Sequence, residues 1–382
     1  MKITPKAKRN ISRIIPFAII WLVSGWIVDV TELGVTRNQN LNPDTDIALT
    51  IPVLIFASLA NVLVGAIVGG LEVVYLEKRF SNRTLRAKFF YKFLIYLTLF
   101  IAIIVLLFPV ATALETGISL LEVDAWQKLG RFLISISFLT TLFHLSVRLM
   151  VCLIYSAISE NLGHHVFLNF FSGKYHQPKI EKRIFMFLDM KSSTTIAEAL
   201  GHIKYFKLLD TYYNIMSDPI INSFGEVYQY IGDEIVISWK PDKGINQANC
   251  IKCFFDIRDY LNEQKEVLFH EFGFEIGFKA GIHFGEVTIG EIGALKKEIV
   301  FTGDVLNTTA RIQSLCKELK SDLLISGAIK ELLPHSNYQY SSKGEIELKG
   351  RNKKEELFSV TLEEKPTIAN TMKKNALNCI LH

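Results

Sequence analysis

Four long apolar runs dominate the first 155 residues of the chain. They span about 14–30, 51–71, 89–110 and 132–154. Each run is close to the ~20 residues that an α-helix needs to cross the hydrocarbon core of a bilayer. A cleaved signal peptide is the alternative for the first run, but no small-residue cleavage pattern follows it, and three more runs do. The pattern therefore predicts a membrane domain of four transmembrane helices.

Shorter apolar runs alternate with amphipathic stretches in the second half of the chain. The Ile- and Phe-rich run that starts at Arg183 ends on Asp189, which predicts a buried strand with a carboxylate at its end. Two apolar runs flank Gly232 and Asp233, which predicts a hairpin with a second carboxylate at its turn. If these strands are neighbours, Asp189 and Asp233 converge on one edge of a sheet. Two oxygen ligands with open positions beside them suit Mg²⁺ or Mn²⁺ carried on a phosphate substrate.

The stretches between and after these acids predict further helices and strands. Residues 197–224 are predicted as two helices separated near Gly201, and residues 246–269 as one amphipathic helix. A second hairpin is predicted around Phe284 and Gly285. The resulting order, β-α-α-β-β-α-β-β-α-β, predicts an α+β fold close to the ferredoxin-like pattern.

Composition favours a membrane protein over a nucleic-acid-binding one. Of the 382 residues 49% are hydrophobic, and the mean hydropathy of +0.26 is high for a soluble protein. The formal net charge of +4 is too small to indicate a nucleic-acid partner. The cysteines are odd in number and scattered, which suits reduced thiols.

The distribution of basic residues predicts the orientation of the chain. Lys and Arg are frequent in the N-terminal segment, in the loop between the second and third runs, and after the fourth run. The other two loops carry mainly Asp and Glu. By the positive-inside rule, both termini and the second half of the chain are cytoplasmic. The sequence thus predicts an integral protein of the cell membrane.

Four polar residues lie within or beside the apolar runs, namely Asn61, Glu72, His144 and Arg148. One interpretation is a ligand or ion sensor, because ionisable groups are costly inside a membrane. The interpretation that we favour is structural. In it, Glu72 and Arg148 lie near the cytoplasmic ends and snorkel, while Asn61 bonds to a neighbouring helix.

A third polar stretch lies at residues 298–313. A Gly-Asp turn leads into a predicted helix on which Asn307 and Arg311, four residues apart, share one face. Together with the stretches around Asp189 and Asp233, in this order along the chain, it resembles the class III nucleotide cyclases, the adenylate and guanylate cyclases. The resemblance covers about residues 182–361, roughly half of the chain.

The resemblance implies a reaction and a role for each residue. The 3′-hydroxyl of a nucleoside triphosphate attacks its own α-phosphorus, and pyrophosphate leaves. Asp189, Asp233 and the backbone carbonyl of Met190 would hold two Mg²⁺ or Mn²⁺ ions per site. Asn307 would orient the ribose, and Arg311 would stabilise charge on the α-phosphate. Each site in the family is completed by two cyclase domains, so a homodimer with two equivalent sites is implied.

Other residues are candidates for contacts with the triphosphate. Ser192, Ser193 and Thr194 begin a predicted helix, and free N–H groups at such a start favour a phosphate. Simple helix capping would give the same sequence. Lys349 and Arg351 lie near the position of the family's basic group for the β- and γ-phosphates, and a solvated turn is the alternative.

The positions with which the family selects its base are occupied by Gln229 and Val300, and neither matches the adenine or the guanine pattern. The Gln229 amide can donate or accept, whereas Val300 can do neither through its side chain. Thr302 is the substitute if the strand register differs. ATP is favoured because membrane-anchored bacterial-type members are mostly adenylate cyclases. The alternatives are a guanylate cyclase that uses GTP and a catalytically silent regulator.

The predicted organisation has four parts. They are an α-helical transmembrane domain with four spans (1–155), a coupling linker (156–182), a cytosolic α+β ferredoxin-like cyclase domain (183–362) and a loose C-terminal tail (363–382). The predicted partners are the nucleoside triphosphate, membrane lipid and a second copy of the chain. No nucleic-acid partner is predicted.

Overall fold

The computed structural model describes residues 3–37, 39–80, 84–163, 166, 169, 172–333, 338–348 and 354–362. The chain forms two compact units, Ala7–Ser172 and Gly173–His382. The first is helical, and the second combines helices with one sheet, which confirms the predicted fold class. The predicted tail lies outside the described residues, and the bounds of the coupling linker stay a prediction.

The first unit is built from six α-helices in its described residues. They are α1 (Pro5–Thr36), α2 (Ile51–Gly70), α3 (Glu77–Arg79), α4 (Leu85–Thr116), α5 (Val123–Leu133) and α6 (Ile136–Leu162). A π-helical turn, Leu71–Leu76, joins α2 to α3. Stretches of α1, of α2 with its π-helical turn, of α4 and of α6 are each long and apolar enough to cross a membrane. The four predicted spans therefore each correspond to a helix.

The predicted start of the fourth span, at residue 132, is wrong. The chain breaks at Ser135, whose extended backbone (φ −89°, ψ 164°) ends the preceding helical stretch, and whose hydroxyl accepts from the Phe138 N–H at the start of α6. A separate amphipathic helix, α5, lies before this break. The apolar run continues across the break, so hydrophobicity alone did not reveal the cap.

Polar side chains inside the first unit pair with one another. Glu72 is only 1% exposed, and it accepts hydrogen bonds from Lys92 and from the Tyr96 hydroxyl. The prediction that Glu72 snorkels is therefore wrong. Arg148 also bonds inward, because its Nη1 donates to Asn61 Oδ1 at 3.0 Å. The predicted bond of Asn61 to a neighbouring helix is confirmed.

The second unit is organised around a sheet of eight strands. They are β1 (Lys179–Met190), β2 (Glu226–Ile231), β3 (Glu234–Trp239), β4 (Phe278–Ile292), β5 (Glu298–Thr302), β6 (Leu323–Ser326), β7 (Tyr338–Glu347) and β8 (Lys354–Leu362). The order is β2-β3-β1-β4-β6-β8-β7, with β5 paired to β4. Among the described strand pairs, β4–β6 is parallel and the others are antiparallel. The central strand β1 is antiparallel to both of its neighbours, β3 and β4.

The helices of this unit are α7 (Ser193–Asn222), α8 (Pro241–Ile245), α9 (Asn249–Glu263), α10 (Lys265–Phe272), α11 (Asp304–Ser314) and α12 (Gly327–Leu332). The predicted separation near Gly201 is confirmed, because this residue has φ 70° and interrupts α7. Glycine tolerates this left-handed conformation without steric strain.

Side chains of β1 alternate between two buried layers, as expected for a strand covered on both faces. Ile184, Met186 and Leu188 pack in a core that includes side chains of α7 and α9. Phe185 and Phe187 pack on the opposite face, in a cluster with side chains of β5 and α11. The sheet therefore lies between a layer formed by α7 and α9 and a smaller layer that includes α11.

The hairpin predicted around Phe284 and Gly285 is wrong. Both residues lie inside β4 and pair with residues of β1. Glycine is present there for close packing, since a Cβ on Gly285 would lie 3.1 Å from the Val305 side chain. The chain reverses instead near Gly293, between β4 and β5, where φ is 114°.

A closer approach fixes α11 on the sheet and generates a stability prediction. A Cβ on Gly281 of β4 would lie 2.5 Å from the backbone nitrogen of Gln313 in α11. Because backbone atoms cannot rotate away, we expect Gly281→Ala to destabilise this unit by about 1–3 kcal/mol. The measurement is the thermal unfolding midpoint of the purified full chain in detergent.

The matched control for this change is Gly327→Ala. Its added Cβ would meet its nearest atoms, those of Glu356, at 3.6 Å, which is ordinary van der Waals contact. We expect the control to leave the midpoint unchanged. Equal midpoints for the two variants would show that the α11–β4 contact is not tight.

Candidate functional site

Two carboxylates meet at the end of the central strand. Asp189 is the penultimate residue of β1 and pairs in the ladder with Glu234, the first residue of β3. Asp233 precedes Glu234 in the tight turn from β2, where Gly232 has φ 64°. The neighbouring Asp189 carboxyl also raises the pKa of Asp233. The structure therefore brings together the two acids that the sequence singles out.

A side chain of α7 forms a hydrogen bond with the turn that carries Asp233. The Tyr213 hydroxyl donates to the Gly232 carbonyl at 2.7 Å, and its ring lies 4.4 Å, between centroids, from that of Tyr230. Ser193, in the first turn of α7, opposes the rise in the pKa of the Asp233 carboxyl. Contacts from one helix thus fix the position of this acid relative to β1.

The acids are crowded and partly buried, so their charges repel. Burial raises the pKa of Asp233, with Asp189 raising it further and the Ser193 hydrogen bond opposing the shift. Burial also raises the pKa of Glu234 to about 7, with further contributions from Asp189 and Asp233. These shifts indicate an excess of negative charge that a bound cation would relieve.

Two side chains partly compensate this charge on Asp189. Lys279 Nζ lies 3.2 Å from Asp189 Oδ2, and Gln313 Nε2 donates to the same oxygen at 3.1 Å. On Asp233, one oxygen, Oδ2, is buried without a hydrogen-bond partner among the described residues. A buried carboxylate oxygen without a donor is well suited to bind a metal ion.

The donor set fits a hard divalent cation that shares its ligands with a substrate. In the described part of the chain no cluster of three or more His, Cys, Asp or Glu side chains could hold a metal. Two carboxylates therefore leave coordination positions for other oxygens, which is typical of Mg²⁺ sites that also bind phosphates. The Met190 side chain is buried in the core, so this residue can offer only its backbone carbonyl.

The predicted hydroxyl cluster lies at the start of α7. Ser192 adopts a left-handed conformation, with φ 57°, directly before the helix. Ser193 lowers the pKa of the Asp233 carboxyl, and Thr194 is exposed. The first-turn N–H groups of α7 therefore begin beside the acid pair, where a helix start favours an anion.

Asn307 and Arg311 lie on a different face of α11 from Gln313. Successive residues of an α-helix are about 100° apart, so Arg311 and Gln313 project in nearly opposite directions. Gln313 faces the acids of its own chain, through its bond to Asp189. Asn307 is exposed, and Arg311 is half-buried. The four residues that the resemblance groups in one reaction are thus not gathered into one site by a single chain.

The candidate base-selecting residues lie on β2 and β5. Gln229 is exposed on β2, and Val300 and Thr302 lie two apart on β5. The residues next to the first two, Tyr228 and Phe301, touch, with ring centroids 4.6 Å apart. The Phe301 N–H also donates to the Tyr228 hydroxyl at 3.2 Å. This contact connects β2 with β5, although the strands are not adjacent in the sheet. Lys349 and Arg351 lie outside the described residues.

Sequence reasoning missed three residues that support the acid pair, namely Tyr213, Lys279 and Gln313. Lys279 faces Asp189 across the β1–β4 ladder, a register that no local pattern reveals. Gln313 is two residues beyond Arg311, and helical periodicity could have shown that it projects from the opposite face. The role of Tyr213 depends on how α7 packs beneath the turn.

Comparisons with known proteins agree on one family for the second unit. Residues 176–361 match the family model described as the adenylate and guanylate cyclase catalytic domain. Adenylate cyclase 2 of Rhizobium meliloti (strain 1021) is 35% identical over 205 residues, which are 53% of this chain and 56% of that relative. An adenylate cyclase of Anabaena cylindrica is 24% identical over 46% of this chain and 36% of its own length.

The chain thus spans about half, or less, of the length of these relatives. A solved structure of a bacterial light-regulated adenylyl cyclase is 20% identical, covers 63% of this chain and 71% of its own, and has a TM-score of 0.51. At this identity the likeness concerns the fold alone. Residues 176–361 therefore match the adenylate and guanylate cyclase catalytic domain family in sequence, and the second unit is similar in fold to a solved adenylyl cyclase.

Proposed function

We propose that the chain is a membrane-anchored adenylate cyclase that converts ATP to 3′,5′-cyclic AMP and pyrophosphate. The observation that carries the proposal is the pair of crowded carboxylates, Asp189 and Asp233, at the end of the central strand. A catalytically silent regulator would have no need to maintain two buried like charges beside each other. The resemblance to a cyclase named for ATP, at 35% identity, supports the choice of reaction.

Asp189 and Asp233 would hold the two Mg²⁺ or Mn²⁺ ions, with the Met190 carbonyl as a further ligand. When bound, such ions lower the pKa of the attacking 3′-hydroxyl and neutralise charge on the phosphates. Lys279 and Gln313 both contact Oδ2 of the Asp189 carboxylate and so position it. The other oxygen, Oδ1, would then be available to bind a metal ion. Ser192, Ser193 and Thr194 would present hydroxyl and N–H donors to the phosphates.

Asn307 and Arg311 would act on the substrate of the partner protomer. Asn307 would orient the ribose, and the fixed charge and forked donors of Arg311 suit the α-phosphate oxygens. The support for action in trans is geometric, since α11 directs Gln313 towards the acids of its own chain and Arg311 away from them. Two copies would form two equivalent sites.

The residues that would distinguish ATP from GTP lie on β2 and β5. Gln229 and Val300 would lie against the base, and their neighbours Tyr228 and Phe301 touch. Val300 offers no polar side-chain atom, while Gln229 and Thr302 can each donate and accept. The Gln229 amide and the Thr302 hydroxyl would form hydrogen bonds with the purine base, and each can act as donor or as acceptor.

The first unit would anchor the enzyme in the cell membrane. Its four long apolar helices have the length and composition for this role. Both termini and the cyclase domain would lie in the cytoplasm, where nucleoside triphosphates are available, and lipid would surround the helices. Lys349 and Arg351 would complete the phosphate contacts.

The first test identifies the product. Purified full-length chain is supplied with Mn²⁺ and with ATP or GTP in separate reactions, and the products are resolved by chromatography. We expect cyclic AMP from ATP at a higher kcat/KM than cyclic GMP from GTP. A higher value with GTP would identify a guanylate cyclase, and the absence of both products would contradict the proposal.

The second test concerns the metal ligands. We expect Asp233→Asn to lower activity at least about 100-fold, the loss typical when one charge-stabilising group is removed from a site. Without metal, its thermal unfolding midpoint should equal or exceed that of the unaltered chain, because one of two repelling charges is gone. Mn²⁺ should raise the midpoint of the unaltered chain and not that of the variant.

The control for this test is Asp242→Asn, in α8 beyond the opposite end of β3. Its activity and its Mn²⁺-dependent shift should match those of the unaltered chain. Retained activity in Asp233→Asn, or an equal Mn²⁺ shift in that variant, would remove Asp233 from the metal site.

The third test asks whether each site contains residues of both copies. Asp233→Asn and Arg311→Ala are each expected to be inactive, while their co-expression should restore about a quarter of the activity, since random pairing gives half heterodimers with one intact site each. Co-expressed Asp189→Asn and Asp233→Asn should stay inactive, because both sites are then damaged. Equal results for the two mixtures would contradict a site shared between protomers.

A further inference from the structure

The first unit contains a cavity of about 570 Å³ between its helices. Residues of α1, α2, α4, α5 and α6 line it, together with residues 39–42 and 46–49 of the connection between α1 and α2. That connection is fixed in place, because the Ala48 N–H donates to Glu115 on α4 at 2.8 Å. Glu115 in turn pairs with Lys128 on α5 at 2.7 Å. The size lies within the range of small-molecule binding sites.

Most of the cavity wall is apolar, and several aromatic rings contribute to it. Phe56 of α2, Phe100 and Phe108 of α4, and Phe132 of α5 lie around the space. Trp21 lies beside Arg148, whose guanidinium carbon is 6.0 Å from the ring centroid. Such a wall suits an aromatic or aliphatic body, and ring faces attract a cation.

Charged groups converge on the same space. Asp29, Glu32 and Asp46 line the cavity and supply carboxylates, whereas Arg148 is the only Lys or Arg among the lining residues that the structure describes. Both terminal nitrogens of Arg148 already donate a hydrogen bond, Nη1 to Asn61 at 3.0 Å and Nη2 to the Ser24 carbonyl at 3.4 Å. The balance of charge in the wall is therefore negative.

One of these carboxylates has an unused acceptor atom. Asp29 Oδ2 is buried and has no hydrogen-bond partner among the described residues. An isolated buried carboxylate oxygen is unfavourable, and a polar group supplied by a ligand would satisfy it. Arg148 Nε is also buried and has no acceptor among the described residues. The two groups therefore do not satisfy each other by a hydrogen bond between these atoms.

We infer that this cavity is a binding site for a small amphipathic cation, namely an organic amine with an aromatic or aliphatic body. The apolar wall holds the body, and Asp29 accepts from the ammonium head. Glu32 and Asp46 add favourable charge at the end that the α1–α2 connection covers. The inference concerns the first unit alone and is independent of the proposed cyclase activity.

The test compares three probes that share a phenyl ring and a two-carbon arm. Phenethylamine carries a cationic head, 2-phenylethanol a neutral one and phenylacetate an anionic one. Binding to the purified full chain in a non-ionic detergent is measured by equilibrium dialysis, with empty micelles subtracted. We expect phenethylamine to bind more tightly than the other two probes.

Two variants separate specific binding from partition into apolar surface. Asp29→Asn should weaken phenethylamine binding about tenfold, as expected when a hydrogen bond to a charged group is lost. Ala60→Phe, which fills the cavity and keeps the acid, should abolish it. Asp44→Asn, in the same connection but not lining the cavity, should change nothing. Unfolding midpoints confirm that each variant is folded.

Three outcomes would overturn the inference. They are equal retention of the three probes, tighter binding of phenylacetate, and phenethylamine binding that is unaffected by Asp29→Asn or by Ala60→Phe. The first would identify non-specific partition, and the second would assign the site to an anion held by Arg148. The third would place the bound amine elsewhere in the chain.

Discussion

The second unit depends on holding two carboxylates side by side. Antiparallel pairing of β1 with β3 sets Asp189 next to the turn that carries Asp233, and like charges at this distance oppose that arrangement. The fold overcomes the repulsion with contacts from three directions. Tyr213 of α7 holds the turn, while Lys279 of β4 and Gln313 of α11 bind one oxygen of Asp189. The charge repulsion between the two carboxylates remains, and a bound divalent cation would neutralise it.

The close packing of α11 on β4 also supports the acid pair. A glycine at position 281 lets the backbone of the helix approach the strand to a distance that no side chain would permit. In this position Gln313 donates a hydrogen bond to Asp189. Because the helix is fixed with this face inward, Asn307 and Arg311 necessarily project from other faces. One packing contact therefore supports the acid pair and also directs the two remaining residues of the motif away from it.

Local patterns predicted those elements whose cause is local. The Gly232–Asp233 turn and the break at Gly201 follow from backbone conformations that glycine favours, and both are present. The turn predicted at Gly285 is absent, because a glycine required for packing looks the same in sequence as one required for a reversal. Lys279 and Gln313 could not be found, since their relation to Asp189 arises from strand register and helix packing across 90 or more residues. Recognition of the ordered motifs identified the family without any of these contacts.

The first unit contains more polar structure than an anchor requires. A helix that only holds a domain at a membrane is stable with apolar side chains, whereas each buried ionisable group carries a desolvation cost. Glu72 nevertheless lies buried against Lys92 and Tyr96, beside a π-helical turn, a distortion that is frequent at functional sites. Arg148 is likewise held inside by Asn61 on another helix. Buried groups that are fully paired can be attributed to helix association. The unsatisfied oxygen of Asp29 cannot, because leaving it unpaired stabilises neither the helices nor their packing.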